Sequence, residues 1–105
     1  MLPVPDLAEQ LSIPVTRVHQ LIRERQVLAF RESGVLRVPA DFVQDGEVLR
    51  GLTGTITLLT DAGYTDAEIL SWLYAEDETL PGAPIQALRE NRGTEVRRRA
   101  QAAGF

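Results

Sequence analysis

The sequence predicts a mainly α-helical chain with one small two-stranded β-ribbon, divided into two small units. Three observations carry that expectation. Apolar residues recur at helical spacing in six segments between Asp6 and Ala103, and the stretch 28–38 alternates at period two around a turn. A polar stretch, Gln44-Asp45-Gly46-Glu47, separates a first half, 1–44, from a second, 45–105. At 105 residues and 44% hydrophobic content, the chain can bury one core or two very small ones.

Asp6 follows Pro5 and stands three residues before Glu9, an acidic variant of a capping box, while Leu7, Ala8 and Leu11 share a helical face. A first helix is therefore expected over about Asp6–Leu11. Ser12-Ile13-Pro14 interrupts it, and Pro14 suits the first position of the next helix, where its missing N–H would have no partner anyway. The second helix then runs from about 14 to 25. At 100° per residue, Val15, Val18, Leu21 and Ile22 gather on its inner side and Thr16, Gln20, Arg23 and Glu24 point outward, with Arg17 and His19 at the edges.

Leu28-Ala29-Phe30-Arg31 and Val35-Leu36-Arg37-Val38 read as two strands joined by a three-residue turn, Glu32-Ser33-Gly34. Leu28, Phe30, Leu36 and Val38 would face inward, leaving an arginine exposed on each strand. Pro39 to Val43 reads as a short helical turn with Phe42 plugging the core. Two helices, a tight turn and then a ribbon make the order of a winged helix-turn-helix.

In the second half, Leu52, Ile56, Leu58 and Leu59 predict a helix over about Thr53–Ala62 that stops at Gly63. Thr65-Asp66-Ala67-Glu68 is a capping box, and the helix it opens carries Ile69, Leu70, Trp72 and Leu73 to about Ala75. Tyr64 and Trp72 are expected in the core. Glu76-Asp77-Glu78 and Pro81-Gly82 read as an acidic, breaker-rich loop whose spacing fits no calcium site. Pro84 opens a helix to about Asn91, and after Gly93 a last helix capped by Thr94 turns Val96, Ala100 and Ala103 inward and Arg97, Arg98 and Arg99 outward.

Composition narrows the function classes. The chain has no cysteine, so disulfides and thiolate metal sites are excluded. Its start lacks the basic and long apolar regions of a signal peptide, and its apolar runs are too short to span a bilayer, so a cytoplasmic protein without membrane contact is expected. His19 is the lone histidine, no Gly-rich phosphate loop occurs, and no nucleophile-base pair can be named. Catalysis, a cofactor and a metal site are therefore not expected.

Net charge is −4, which at first argues against a polyanionic partner. Its distribution reverses that inference. Residues 1–44 are neutral, 45–80 carry −7 and 81–105 carry +3, and within 17–37 five arginines face only Glu24 and Glu32. Every basic side chain is Arg, which suits bidentate contacts to phosphate or guanine, although a GC-rich coding sequence would produce the same bias. The partner this points to is double-stranded DNA, read by a recognition helix of about 14–25 and an Arg-bearing wing over 28–38. The candidate DNA contacts are Thr16, Arg17, His19, Gln20 and Arg23 on the helix, and Arg31 and Arg37 on the wing. Arg97, Arg98 and Arg99 offer either a second phosphate contact or an offset to the acidic middle.

These residues also carry a family likeness. Val4-Pro5-Asp6-Leu7-Ala8-Glu9-Gln10-Leu11, Ile13-Pro14-Val15-Thr16-Arg17-Val18, Leu21-Ile22-Arg23 and Leu36-Arg37-Val38-Pro39 resemble the excisionase and MerR-type winged helix-turn-helix. The second half is similar to an actinobacterial family of small DNA-binding proteins with a helical carboxy-terminal domain, through Leu58 to Tyr64, Asp66 to Leu70 with Trp72-Leu73, Pro84-Ile85, Ala87-Leu88 and Glu95 to Ala102. The resemblance implies DNA binding by the first half, for transcriptional or nucleoid-associated regulation. In it Thr16, Arg17 and Gln20 match the exposed start of the recognition helix, and Arg31 and Arg37 match the wing. Two departures stand out. Pro14 replaces the Ser or Thr that often caps this helix, and the chain starts directly at the first helix where some relatives have a polar tail. A different class, a protein-interaction or antitoxin-like adaptor working through the carboxy-terminal helices, is the competing expectation. Nothing in the residues chooses between monomer and dimer.

Overall fold

The computed structural model describes residues 1–76 and 82–104. They form two compact units, Met1–Leu49 and Arg50 onward. The acidic loop expected around 76–82 falls largely on residues outside those described.

In the first unit, β1 (Leu2–Pro3) leads straight into α1 (Val4–Leu11), followed by α2 (Val15–Arg23), β2 (Phe30–Glu32) and β3 (Val35–Val38). A short 3-10 helix (Ala40–Phe42) and a hairpin, β4 (Val43–Gln44) and β5 (Glu47–Val48), complete it. The first helix starts two residues earlier than its acidic capping signal suggested: Pro3 is the N-cap, no side chain caps it, and Asp6 lies inside the first turn. Pro14 stands one position outside α2, as its N-cap, with extended backbone. The turn between the helices closes on Ser12, in left-handed conformation at φ 56°, with Ile13 N–H donating to the Ala8 carbonyl at 3.0 Å.

The ribbon is larger than expected. Leu2 and Pro3 pair antiparallel with Val38 and Arg37, so β3 is the middle of a three-stranded sheet ordered β1-β3-β2. The polar stretch 44–47 is the turn of the β4–β5 hairpin rather than a connector, since Val43 pairs with Val48 and Gln44 with Glu47. Leu49 N–H then donates to the Phe42 carbonyl at 2.8 Å, and the first unit runs on to Leu49.

Its core is Val4, Leu7, Ala8, Val18, Leu21, Val27, Leu28, Val38, Phe42, Val43 and Leu49, all buried, with Phe42 fully enclosed as expected. Leu28 reaches this core from the segment before β2, outside the strand to which it was assigned. Val15 does not reach it: the residue is 42% exposed, because the inner side of α2 rests on Val18 and Leu21 alone.

Among its described residues the second unit holds four helices: α3 (Leu52–Asp61), α4 (Asp66–Tyr74), α5 (Pro84–Arg89) and α6 (Gly93–Ala102). Leu52, Ile56, Leu59, Ile69, Leu73, Ile85, Ala87, Leu88, Val96 and Ala100 are buried in it, together with Thr55 and Pro84. The Thr65–Glu68 capping box forms in both directions, at 3.2 Å and 2.9 Å. Thr94 does not cap α6. That helix begins two residues earlier than a Thr94 cap would place it, at Gly93, with Arg92 as N-cap. Tyr64 and Trp72 are half-buried rather than core residues, and Ala103 is likewise only half-buried. No helix among the described residues is long and apolar enough to cross a membrane.

Candidate nucleic-acid interface

The outer side of α2 and the β2–β3 hairpin together carry every candidate contact, and their local geometry decides what each can do. On α2, Thr16, His19 and Arg23 are exposed while Arg17 and Gln20 are half-buried. At helical spacing these five, with Glu24, occupy a continuous arc of about 160° opposite Val18 and Leu21. The helix is shorter than the sequence suggested. It ends at Arg23, and Arg25 turns left-handed at φ 57° while Gln26 N–H closes back on the Leu21 carbonyl at 2.9 Å. Arg25 thus leaves the helical array.

Glu24 organises this face. Gln20 Nε2 donates to Glu24 Oε2 at 3.1 Å, Gln26 Nε2 donates to Oε1 at 3.0 Å, and Arg17 Nη1 lies 3.7 Å from the same Oε1. Two of the candidate DNA contacts therefore converge on a carboxylate of their own helix. Sequence reading placed Glu24 on the outer face without assigning it this part. The signal was available in the four-residue step from Gln20 and the seven-residue step from Arg17, both of which bring side chains onto one helical face.

The wing differs from expectation in turn and in facing. Glu32 pairs with Val35, so the loop is two residues, Ser33 and Gly34, at φ 52° and 80°. Both positions are left-handed, as a tight hairpin matching strand twist requires. Phe30 pairs with Arg37 and Arg31 with Leu36. Directly opposed residues share a face, so Arg31 and Arg37 point to opposite sides of the sheet and the expected common apolar face of Phe30, Leu36 and Val38 does not form. Arg31 is exposed beside the turn, where its Nη1 donates to the Gly34 carbonyl at 3.5 Å. Arg37 is half-buried between its cross-strand neighbours Pro3 and Phe30, and its Nε is buried without a hydrogen-bond partner. The missed β1 strand is what encloses it.

In the second unit, Arg97 and Arg98 are exposed and Arg99 is half-buried, so the expected outward set is two exposed residues and a third partly covered. Among the described residues no group of three or more His, Asp or Glu side chains is placed to hold a metal ion.

Comparison with known proteins adds the following. Residues 1–43 match the family model described as "DNA-binding protein Rv2175c, wHTH domain", and residues 49–104 match "Rv2175c C-terminal domain of unknown function". The chain is similar to the DNA-binding protein Rv2175c of Mycobacterium tuberculosis, with 36% identity over 115 residues that span 97% of this chain and 79% of the relative. It superposes on the NMR structure of Rv2175c with a TM-score of 0.89 at 35% identity, covering 99% of this chain and 80% of that one. A helix-turn-helix with a sheet-borne wing is thus the fold of both.

Proposed function

Since the chain belongs to the Rv2175c family, we propose that its first unit binds double-stranded DNA, as a transcriptional or nucleoid-associated regulator, by laying α2 in the major groove and the β2–β3 turn against a neighbouring phosphate or minor groove. The observation that carries this reading is the pairing of an uncovered polar helix face, Thr16, Arg17, His19, Gln20 and Arg23, with the exposed Arg31 of the wing. Arg and Gln are the side chains whose geometry matches guanine and adenine edges, and Thr16 stands at the helix start where base contact is closest. Arg37 takes a supporting part. Its enclosed stem restrains the wing, and its guanidinium reaches phosphate only from the opposite sheet face.

The first half would share its docking mode with excisionase and MerR-type proteins, and the protein would act in the cytoplasm, where the duplex is. An additional protein partner on the carboxy-terminal helices is compatible with this reading.

A duplex titration at several salt concentrations tests it. Binding is expected to weaken steeply with salt, because each neutralised phosphate releases counterions. Arg17→Glu and Arg31→Glu should each abolish measurable binding while leaving the thermal transition in place, neither side chain belonging to the buried core. Absence of binding by the wild-type chain at low salt, or full binding by both variants, would overturn the reading.

A further inference from the structure

We propose that the second unit contains an anion site, a half-open cleft that accepts a phosphate group between Arg50 and Arg97. The cleft has a volume of about 380 Å³ and is lined by residues of the second unit alone, among them Arg50 before α3, Arg97 on α6, Asn91 and Thr94. That volume lies at the small end of ligand cavities, which run from about 300 to 1,000 Å³.

Three features point to an anion. First, the lining holds two arginines and no carboxylate, although the unit as a whole has six arginines and eight acids. Second, neither arginine has a carboxylate partner among the described residues. The acids closest to Arg97 along the chain, Glu95 and Glu90, are instead both held by Arg92, at 3.3 Å and 2.8 Å, and stay out of the lining. Paired guanidinium groups left uncompensated over a concave surface attract an anion, and phosphate offers the planar fork two acceptor oxygens at once.

Third, the floor is kept open by a residue that the helix itself disfavours. Gly54 lies inside α3, where glycine is the least favourable residue after proline, yet a Cβ there would meet nothing within 4 Å. Packing does not require this glycine. A side chain at that position would enter the cleft. At the neighbouring Gly51, which is left-handed at φ 87°, a Cβ would come within 2.9 Å of Leu88 Cδ2, so the floor cannot be raised there either. The uncapped start of α6 at Gly93 adds backbone N–H groups on the same side.

The ligand chemistry is therefore a phosphate group, borne either by a small phosphorylated molecule or by a nucleic-acid backbone. The site stands on the second unit and is independent of how the first unit meets DNA.

The test titrates the full chain with inorganic pyrophosphate, following amide NMR shifts, and measures duplex affinity in parallel, for wild type, Arg50→Ala, Arg97→Ala and Gly54→Leu. Wild type is expected to give saturable shifts at Gly51, Gly93 and Thr94, and each arginine variant to bind pyrophosphate about tenfold more weakly, the loss of one charge-assisted hydrogen bond. Gly54→Leu should lose binding while unfolding at an equal or higher temperature. Duplex affinity equal in all four proteins assigns the site to a free phosphorylated molecule. Duplex affinity lowered in the three variants, with pyrophosphate competing, assigns it to backbone phosphate. Either result supports the site. Lack of saturable shifts in the second unit, or shifts that persist unchanged in both Arg97→Ala and Gly54→Leu, overturns it.

Discussion

Glu24 sits among the candidate DNA contacts as an internal competitor. Its carboxylate holds Gln20 by a 3.1 Å hydrogen bond and Arg17 at 3.7 Å, so a phosphate approaching α2 must take Arg17 from a partner it already has. Both ends of that ion pair are about four-tenths exposed, which limits its worth to at most about 1 kcal/mol. Removing the charge should therefore matter measurably but modestly. Glu24→Gln is expected to tighten duplex binding by about two- to fivefold at low salt, less at high salt, and to give no gain in an Arg17→Ala background. Anisotropy titrations of the four proteins in that cycle check it, and an undiminished gain without Arg17 would show that Glu24 acts by general repulsion. Arg31 is exposed, and if it meets phosphate as proposed, Arg31→Ala should lower the magnitude of the salt slope by about one. The local arginine excess over 17–37 was legible in the sequence; the tie between Arg17 and Glu24, which reduces it, depends on which rotamers the helix surface allows.

At the scale of elements, helix ends explain most differences between sequence reading and structure. Four helices close with a left-handed residue and a backbone N–H reaching back five residues: at Ser12 after α1, Arg25 after α2, Gly63 after α3 and Asn91 after α5. Gly63 could be read directly as a stop, whereas α5 reads to about Asn91 with its stop at Gly93 and in fact ends at Arg89, with Asn91 as the left-handed residue. Serine and arginine pay the steric cost of the left-handed region without announcing it, so α2 reads two residues too long. The wing turn has the same character. Ser33 adopts φ 52° next to Gly34, and Ser33→Asn, restoring the preferred Asn-Gly pair, should stabilise the protein by about half a kcal/mol in a denaturant titration.

The Thr65 cap of α4 was fully legible, because its two residues are three positions apart and need no tertiary partner. Thr65→Ala should cost about 1 kcal/mol. Glu68 is held below the ordinary carboxyl range, chiefly by the Thr65 backbone N–H and then by the Thr65 side chain. A depressed folded pKa means that the stabilisation is present above the unfolded value and lost as pH falls through the folded one. Glu68→Gln keeps the reciprocal bonding pattern without the titration, so the wild type's advantage over it in thermal melts should be present at neutral pH and vanish in acid.

For the molecule as a whole, charge and core are partitioned rather than uniform. Each unit carries a net −2, so DNA binding cannot rest on overall attraction and calls for a local basic surface, the part proposed above for the outer arc of α2 with Arg31. The first unit hangs on Phe42, fully buried in the 3-10 turn between the sheet and the β4–β5 hairpin. Phe42→Ala should destabilise it by about 3–5 kcal/mol and remove duplex binding at temperatures where that unit melts, with circular dichroism and anisotropy tracking one transition. Retention of binding through that transition would show that the helix and wing stand without this core.

The sequence by itself determined the helix order, the wing, the capping box at Thr65 and the family likeness, because each is written in residues close together in the chain or in their period. Tertiary structure alone decided which neighbours those elements meet. Pairing of Leu2 and Pro3 with β3 joins residues some 35 positions apart, and no local pattern announces it. Register then sets Arg31 and Arg37 on opposite sheet faces, since a one-residue shift in pairing exchanges every side chain between faces. The same holds for the cleft between Arg50 and Arg97: two arginines 47 residues apart acquire a shared function only when α3 and α6 pack together.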